Sequence, residues 1–160
     1  MRTYEALSLV ASKYYPQESS HCAVIAVAIA ADISYGKARS YLFKEGRKTG
    51  KGTYPQWTYN ALNKLGYTLH SYTGDYPKTL ATAARILPKR GTFLLRTRDH
   101  MSAIKDGVLQ DWAAATGSRK RVLEVIEVKP CACFSTLTSR VICRSVSDYG
   151  HLCVLDNSAL

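Results

Sequence analysis

Residues 23–31, Ala23-Val24-Ile25-Ala26-Val27-Ala28-Ile29-Ala30-Ala31, are nine consecutive residues drawn only from Ala, Val and Ile. No polar face interrupts the run, so neither the helical nor the strand period is visible in it. Its alanine content favours helix, and Ser19 or Ser20 is placed to serve as N-cap. A helix that is apolar all round must be buried on every side. The rest of the chain therefore has to be built around this segment. Cys22 falls in its first turn, at the edge of that core. There, unpaired backbone N–H groups and the positive end of the helix dipole stabilise a thiolate. The competing reading of such a cysteine is a small buried hydrophobe.

A chain of 160 residues is long enough for one domain with a real core. The net charge of +10 permits contact with nucleic acid or another acidic surface but says nothing about fold. The aliphatic run is too short to span a bilayer, and Met1-Arg2-Thr3-Tyr4-Glu5 does not open a signal peptide. A soluble protein of a reducing cytoplasm, with no membrane contact, is expected. Five cysteines, an odd and unevenly placed set, agree with that better than a disulfide framework does.

Further along, Glu5 to Ala11 predicts a short helix, and Pro16-Gln17 breaks the chain. Ser34 can cap a helix over about 35–45, ended by Gly46, and another helix is expected over about 55–65. Between them lies Gly46-Arg47-Lys48-Thr49-Gly50-Lys51-Gly52-Thr53, read as a mobile, solvated basic loop. It lacks the spacing of a phosphate-binding P-loop. Residues 67–72 alternate as a strand, and 79–87 predict a short helix. Strands are then expected over 91–96, 100–104, 108–112 and 121–128. Helices first and an antiparallel sheet second describe an α+β domain over residues 1–130. Residues 131–160 form a C-terminal extension, read as an added strand near Ser139 to Cys143 plus a loose tail. It holds Cys131, Cys133, Cys143, Cys153 and His151, but without the C-x2-C spacing common in zinc sites, so no metal is expected.

Asp106-Gly107 is a two-residue hairpin signal. If it forms the turn, Lys105 pairs with Val108 and Ser102 falls opposite Asp111. His100 then shares a sheet face with both, diagonal to Asp111 and within side-chain reach. Asp111 can hold the imidazole in one tautomer while the other ring nitrogen faces outward. Together with Cys22 this is a nucleophile, a base and an orienter.

These residues carry a resemblance. The order Cys22, His100, Asp111, with the cysteine opening a central helix and the other two on later antiparallel strands, resembles the papain-like cysteine peptidases. More narrowly, the chain resembles small papain-like proteins of bacteriophages and prophages. The matching segments are His21-Cys22-Ala23-Val24, residues 35–52, Leu65-Gly66-Tyr67 and His100 through Trp112, within about residues 17–128. The resemblance implies Cys22 as nucleophile, His100 as general base and then acid, and Asp111 as orienter. It implies an oxyanion held by the cysteine's N–H and by an upstream glutamine, for which Gln17 is in place. It also implies the cytoplasm of a bacterial host if the chain is phage-encoded. Ala23 stands where glycine often follows the cysteine, and His21 is read as an exposed neighbour.

Two functions follow. The first is a cysteine-dependent hydrolase, a peptidase, isopeptidase or deamidase, acting on a protein or peptide, including a host protein. It works through an acyl-enzyme and needs no metal or organic cofactor. Trp112 is a plausible cleft wall, while Trp57 reads better as core. The alternative is a non-catalytic binding protein. Its basic surface, Arg47, Lys48 and Lys51 with Arg119, Lys120 and Arg121, would engage nucleic acid or an acidic host protein, and that binding would weaken steeply with salt. The two are compatible, since a basic surface can bring an acidic substrate to a working thiol.

Overall fold

The computed structural model describes residues 2–112, 114, 118–131, 141–145 and 151–155. Four helices come first: α1 (Tyr4–Tyr14), α2 (Cys22–Ala30), α3 (Tyr35–Lys44) and α4 (Pro55–Lys64). Then follow β1 (Tyr67–Ser71), α5 (Leu80–Ile86), β2 (Thr92–Arg96), β3 (Met101–Lys105), β4 (Val108–Gln110) and β5 (Glu124–Pro130). The strands form one sheet in the order β1-β5-β2-β3-β4, antiparallel at every junction. Strands β6 (Val141–Ser145) and β7 (His151–Leu155) pair separately as a two-stranded antiparallel ladder. The architecture is α+β. No helix among the described residues is long and apolar enough to cross a membrane.

Helix α2 is the centre of the packing, as its composition requires. Every residue from Ala23 to Ala30 is buried. It lies on the sheet face that carries Leu94, Met101, Ala103, Ile126 and Val128, with α1, α3 and α4 around its other sides. Alanine and β-branched side chains let the helix approach the strands closely. Asp32, at φ 52°, ends α2 in the left-handed conformation common at helix C-termini. Ser34 then caps α3, its Oγ accepting from the Lys37 N–H at 3.3 Å. The alternate residues of the strands, Phe93, Leu95, Ile104, Leu109 and Val125, face the opposite way. There they bury Leu80, Ala83 and Leu87 from α5 and its end. The sheet is therefore covered on both faces.

The N-cap of α2 differs from expectation. It is His21, with no side-chain cap bond, rather than Ser19 or Ser20. Ser19 Oγ donates instead to the Gly50 carbonyl at 3.2 Å, and the Ser20 carbonyl accepts from Arg47. Both serines are drawn away from the helix by the loop at 46–53. The first-turn N–H groups of α2 are left unmet by any cap side chain.

The hairpin forms as the sequence predicts. Asp106 and Gly107 have φ of 50° and 77°, the pair of positive values a type I′ turn needs. Lys105 pairs with Val108 and Ala103 with Gln110. β5 ends at Pro130, and the next N–H, of Cys131, donates to the Gly66 carbonyl at 2.8 Å. β6 overlaps the extra strand expected near Ser139 to Cys143, and β7 takes residues 151–155, where the sequence predicts a loose tail. Cys133 and the side chains of Cys143, His151 and Cys153 lie outside the described residues, as does most of 132–160 apart from β6 and β7.

Candidate active site

Three elements meet at one end of the sheet: the start of α2, the turn into β3 and the end of β4. Cys22 opens α2, His100 directly precedes β3, and Asp111 directly follows β4. The register that pairs Ala103 with Gln110 puts Ser102 opposite Asp111, two residues from His100. The result is a chain of hydrogen bonds. His100 Nε2 lies 2.5 Å from Asp111 Oδ2, and Ser102 Oγ donates to the same oxygen. Asp111 is 4% exposed. With Nε2 committed to the carboxylate, Nδ1 is the ring nitrogen left free of Asp111, and Cys22 and His100 lie close enough for each to shift the titration of the other.

The electrostatics follow from these contacts. Burial alone would raise the Cys22 thiol. The His100 imidazole and the N–H groups of Met101 and Ala23 outweigh it, and the thiol lies below its ordinary value. Burial alone would lower His100. Hydrogen bonds to Asp111 and Cys22, and the negative charge on both, raise it to about 9 instead. Both shifts favour the same state, a thiolate beside an imidazolium.

The pair stands in a cleft of about 720 Å³. Trp112 lines it, 43% exposed, with its ring 5.9 Å from the His100 ring in an edge contact. Trp57 does two jobs: it is partly buried against the α2 core and also lines the cleft, with Tyr54 packed edge-on at 4.7 Å. His21 also lines the cleft. It is half-buried rather than exposed, with Nδ1 3.2 Å from the Glu18 carbonyl.

Gln17 is not brought to the cleft. It is exposed in the turn before α2 and is not among the lining residues. Its neighbour Glu18, by contrast, is 5% exposed and turns inward to meet Arg47. The glutamine the structure does bring to the cleft is Gln110. It is 6% exposed, and its Oε1 accepts from the Tyr4 N–H at 3.0 Å. Tyr4 lines the cleft as well. Gln110 sits one residue from Asp111 and therefore on the other sheet face, toward α2. That placement was available from the hairpin alternation, whereas nothing in the sequence around Tyr4 pointed to it.

The basic surface is also revised. Arg47 is 1% exposed and is no surface cation. Its Nη2 and Nη1 donate to the two carboxylate oxygens of Glu18 at 2.7 and 3.1 Å, its Nε to Thr53 Oγ1 at 3.0 Å, and Nη2 also to the Ser20 carbonyl at 2.7 Å. Glu18 accepts further bonds from Arg39 Nε at 2.8 Å and the Gly50 N–H at 3.1 Å. Burial would raise the Glu18 carboxyl, but these donors hold it at about 2. The loop read as mobile is thus pinned to the segment just before Cys22. The clue was one arginine in a loop whose other cations are lysines, because only the planar guanidinium fork binds a carboxylate in this bidentate way. Lys48 and Lys51 are exposed and line the cleft. Arg119 and Arg121 are exposed, but Lys120 is engaged: its Nζ lies 3.0 Å from Asp99 Oδ1 and 5.9 Å from the Trp112 ring.

Among the described residues no cluster of His, Cys, Asp and Glu is arranged to hold a metal ion. The arrangement can do one kind of chemistry well: present a thiolate to a carbonyl carbon, with an adjacent proton donor and a helix start that no side chain caps beside it. Compared with known proteins, this chain matches no family model, no curated protein and no solved structure.

Proposed function

We propose that the protein is a cysteine-dependent hydrolase of papain-like design, a peptidase, isopeptidase or deamidase acting on a protein or peptide. The observation that carries this reading is the gathering of Cys22, His100 and Asp111 in one cleft, with His100 bonded to Asp111 and electrostatically paired with Cys22. Three residues distant in sequence converge, and two of them, Cys22 and His100, carry the opposite shifts that nucleophilic catalysis needs. Burying Asp111 and Ser102 behind a histidine has no evident benefit for packing, because polar groups are costly in a core unless they are paired.

In the proposed reaction Cys22 Sγ attacks the carbonyl carbon, and the electron pair of the C=O moves to oxygen. The Cys22 N–H at the start of α2 is the proposed backbone donor to that oxyanion, and Gln110, which lines the cleft where Gln17 does not, is the candidate side-chain donor. Collapse expels the leaving amine or ammonia, which takes the proton held by His100, and leaves a thioester on Cys22. Water then attacks the thioester carbon while His100 accepts its proton. The C–S bond breaks, the acid is released and the thiolate and imidazolium are restored. The phage-type affiliation and the cytoplasm of a bacterial host belong to the same proposal.

The test is alkylation of Cys22 by iodoacetamide as a function of pH, followed by mass spectrometry, in wild type and His100→Ala. Rapid reaction well below the ordinary thiol pKa of about 8.5, lost in the variant, supports the hydrolase. A Cys22 no more reactive than an unperturbed thiol overturns it. The alternative, a non-catalytic binder, would then lead.

A further inference from the structure

The cleft has an unbalanced charge. Two carboxylates are among its lining residues, and both are engaged: Asp111 with His100 and Ser102, Asp99 with Lys120. Of its cations, Arg96 is paired with Glu124 at 2.6 Å. Lys48, Lys51 and Arg98 also line the cleft, and no carboxylate among the described residues pairs with any of them.

These three cations come from two loops, and both loops are held in place. Lys48 and Lys51 flank one turn, closed by the Lys51 N–H donating to the Lys48 carbonyl at 3.2 Å. That turn is fixed by Arg47 and Gly50 on Glu18, by Arg47 on Thr53, and by Arg39 Nη2 on Thr49 Oγ1 at 3.1 Å. Arg98 lies in the turn before His100, closed by the Thr97 N–H on the His100 carbonyl at 2.9 Å. Cations on anchored backbone lose less freedom on binding an anion than cations on a loose loop. Burying an arginine and a glutamate to anchor a loop that carries two exposed lysines makes sense if those lysines have a fixed task.

We infer that the substrate is an acidic polypeptide, whose Asp or Glu side chains near the reacting carbonyl are bound by Lys48, Lys51 and Arg98. This inference rests on the hydrolase reading and names its substrate class. The thiol and the cations share one cleft, so whatever the cations attract must also carry an acyl carbon for Cys22 to attack. A polypeptide with carboxylate side chains has both, whereas a nucleic acid phosphodiester has no acyl carbon. Lys120, held by Asp99 beside Trp112, adds no free charge, so the selectivity comes from Lys48, Lys51 and Arg98, which no carboxylate among the described residues pairs.

The test uses the full chain and three peptidyl vinyl sulfones of one length: one rich in Glu, one with Gln in its place, one with Lys. Each alkylates Cys22 by adding the thiolate across the vinyl group, and the rate is read by mass spectrometry. The acidic probe is expected to react about tenfold faster than the Gln probe at low salt, with the ratio shrinking as added salt screens the cleft. Lys48→Glu/Lys51→Glu, both exposed positions, is expected to invert the order and favour the Lys probe. Equal rates for the Glu and Gln probes, with rapid iodoacetamide labelling intact, overturn the acidic-substrate assignment and leave the hydrolase standing. Slow iodoacetamide labelling with an ordinary thiol profile overturns both. If a single-stranded oligonucleotide protects Cys22 at lower concentration than a Glu-rich peptide does, the cations serve nucleic acid and the assignment is overturned.

Discussion

His100 Nε2 lies 2.5 Å from Asp111 Oδ2, and the same oxygen accepts from Ser102 Oγ. The carboxylate is thus held from one side by a hydroxyl on its cross-strand neighbour and presents its charge to the imidazole. That contact engages Nε2, and the negative charge beside the ring raises the His100 titration.

The pH dependence of Cys22 reactivity follows from two opposite shifts. Cys22 lies below its ordinary value and His100 is raised to about 9. Between these limits the thiolate and imidazolium coexist. Above about 9 the imidazolium loses its proton while the thiolate remains. The proposed hydrolysis, which needs a proton for the leaving group, is therefore expected to fall with an alkaline limb near 9, whereas alkylation does not fall there. Parallel pH profiles of substrate turnover and iodoacetamide labelling check this. A labelling rate that falls together with turnover would contradict it.

Asp111→Asn keeps the shape of the site and removes the charge. His100 should return toward its ordinary range, because the Asp111 hydrogen bond is the largest contribution raising it. Turnover is expected to drop by about a hundredfold or more, since a misoriented base loses most of its catalytic contribution. Titration of the His100 ring by NMR, alongside turnover, separates this from simple unfolding. A folded variant with an unmoved His100 titration and undiminished turnover would remove Asp111 from the orienting role.

Glu18 links the fold to acid. Its carboxyl is held at about 2 in the folded protein, below its ordinary value of 4.5. The unfolded chain therefore binds this proton more tightly, and the stability contributed by Glu18 is present above about 4.5. It is lost as pH falls from there through about 2. The shift corresponds to about 3 kcal/mol. Glu18→Gln also leaves the buried Arg47 guanidinium without its counter-charge, at a cost of about 3–5 kcal/mol. Urea unfolding between pH 7 and 3 should show a falling stability in wild type and a flatter, lower line in the variant. Parallel lines would show that the Glu18–Arg47 pair does not govern acid stability.

Gly107→Ala tests the hairpin that sets the register. Gly107 has φ 77°, and a Cβ there would stand 2.9 Å from Lys89 Cδ and 3.3 Å from Lys89 Cα. Backbone strain and the close approach together should cost about 1–2 kcal/mol. Thermal unfolding reads the loss directly. An unchanged melting temperature would mean that the turn relaxes without penalty.

What could be read from the chain alone depended on periodicity and local chemistry. Residues 23–31 have no polar face, so they had to form the buried centre, and α2 is that centre. Asp106-Gly107 could accommodate two positive φ values, so the register of Lys105 with Val108, and with it the meeting of His100 and Asp111, followed from counting. Tertiary structure alone decided the partners of charge. Arg47 and Lys48 are adjacent in one basic run, yet one is buried on Glu18 and the other lines the cleft. Around that contact Gln17 is exposed, Ser19 bonds the Gly50 carbonyl and the Ser20 carbonyl accepts from Arg47, while it is Gln110, from β4, that lines the cleft. Alternation and turn chemistry act over a few residues and leave their mark in sequence. An ion pair between residues 29 apart forms only when the whole fold brings a carboxylate and a guanidinium to the same dry point.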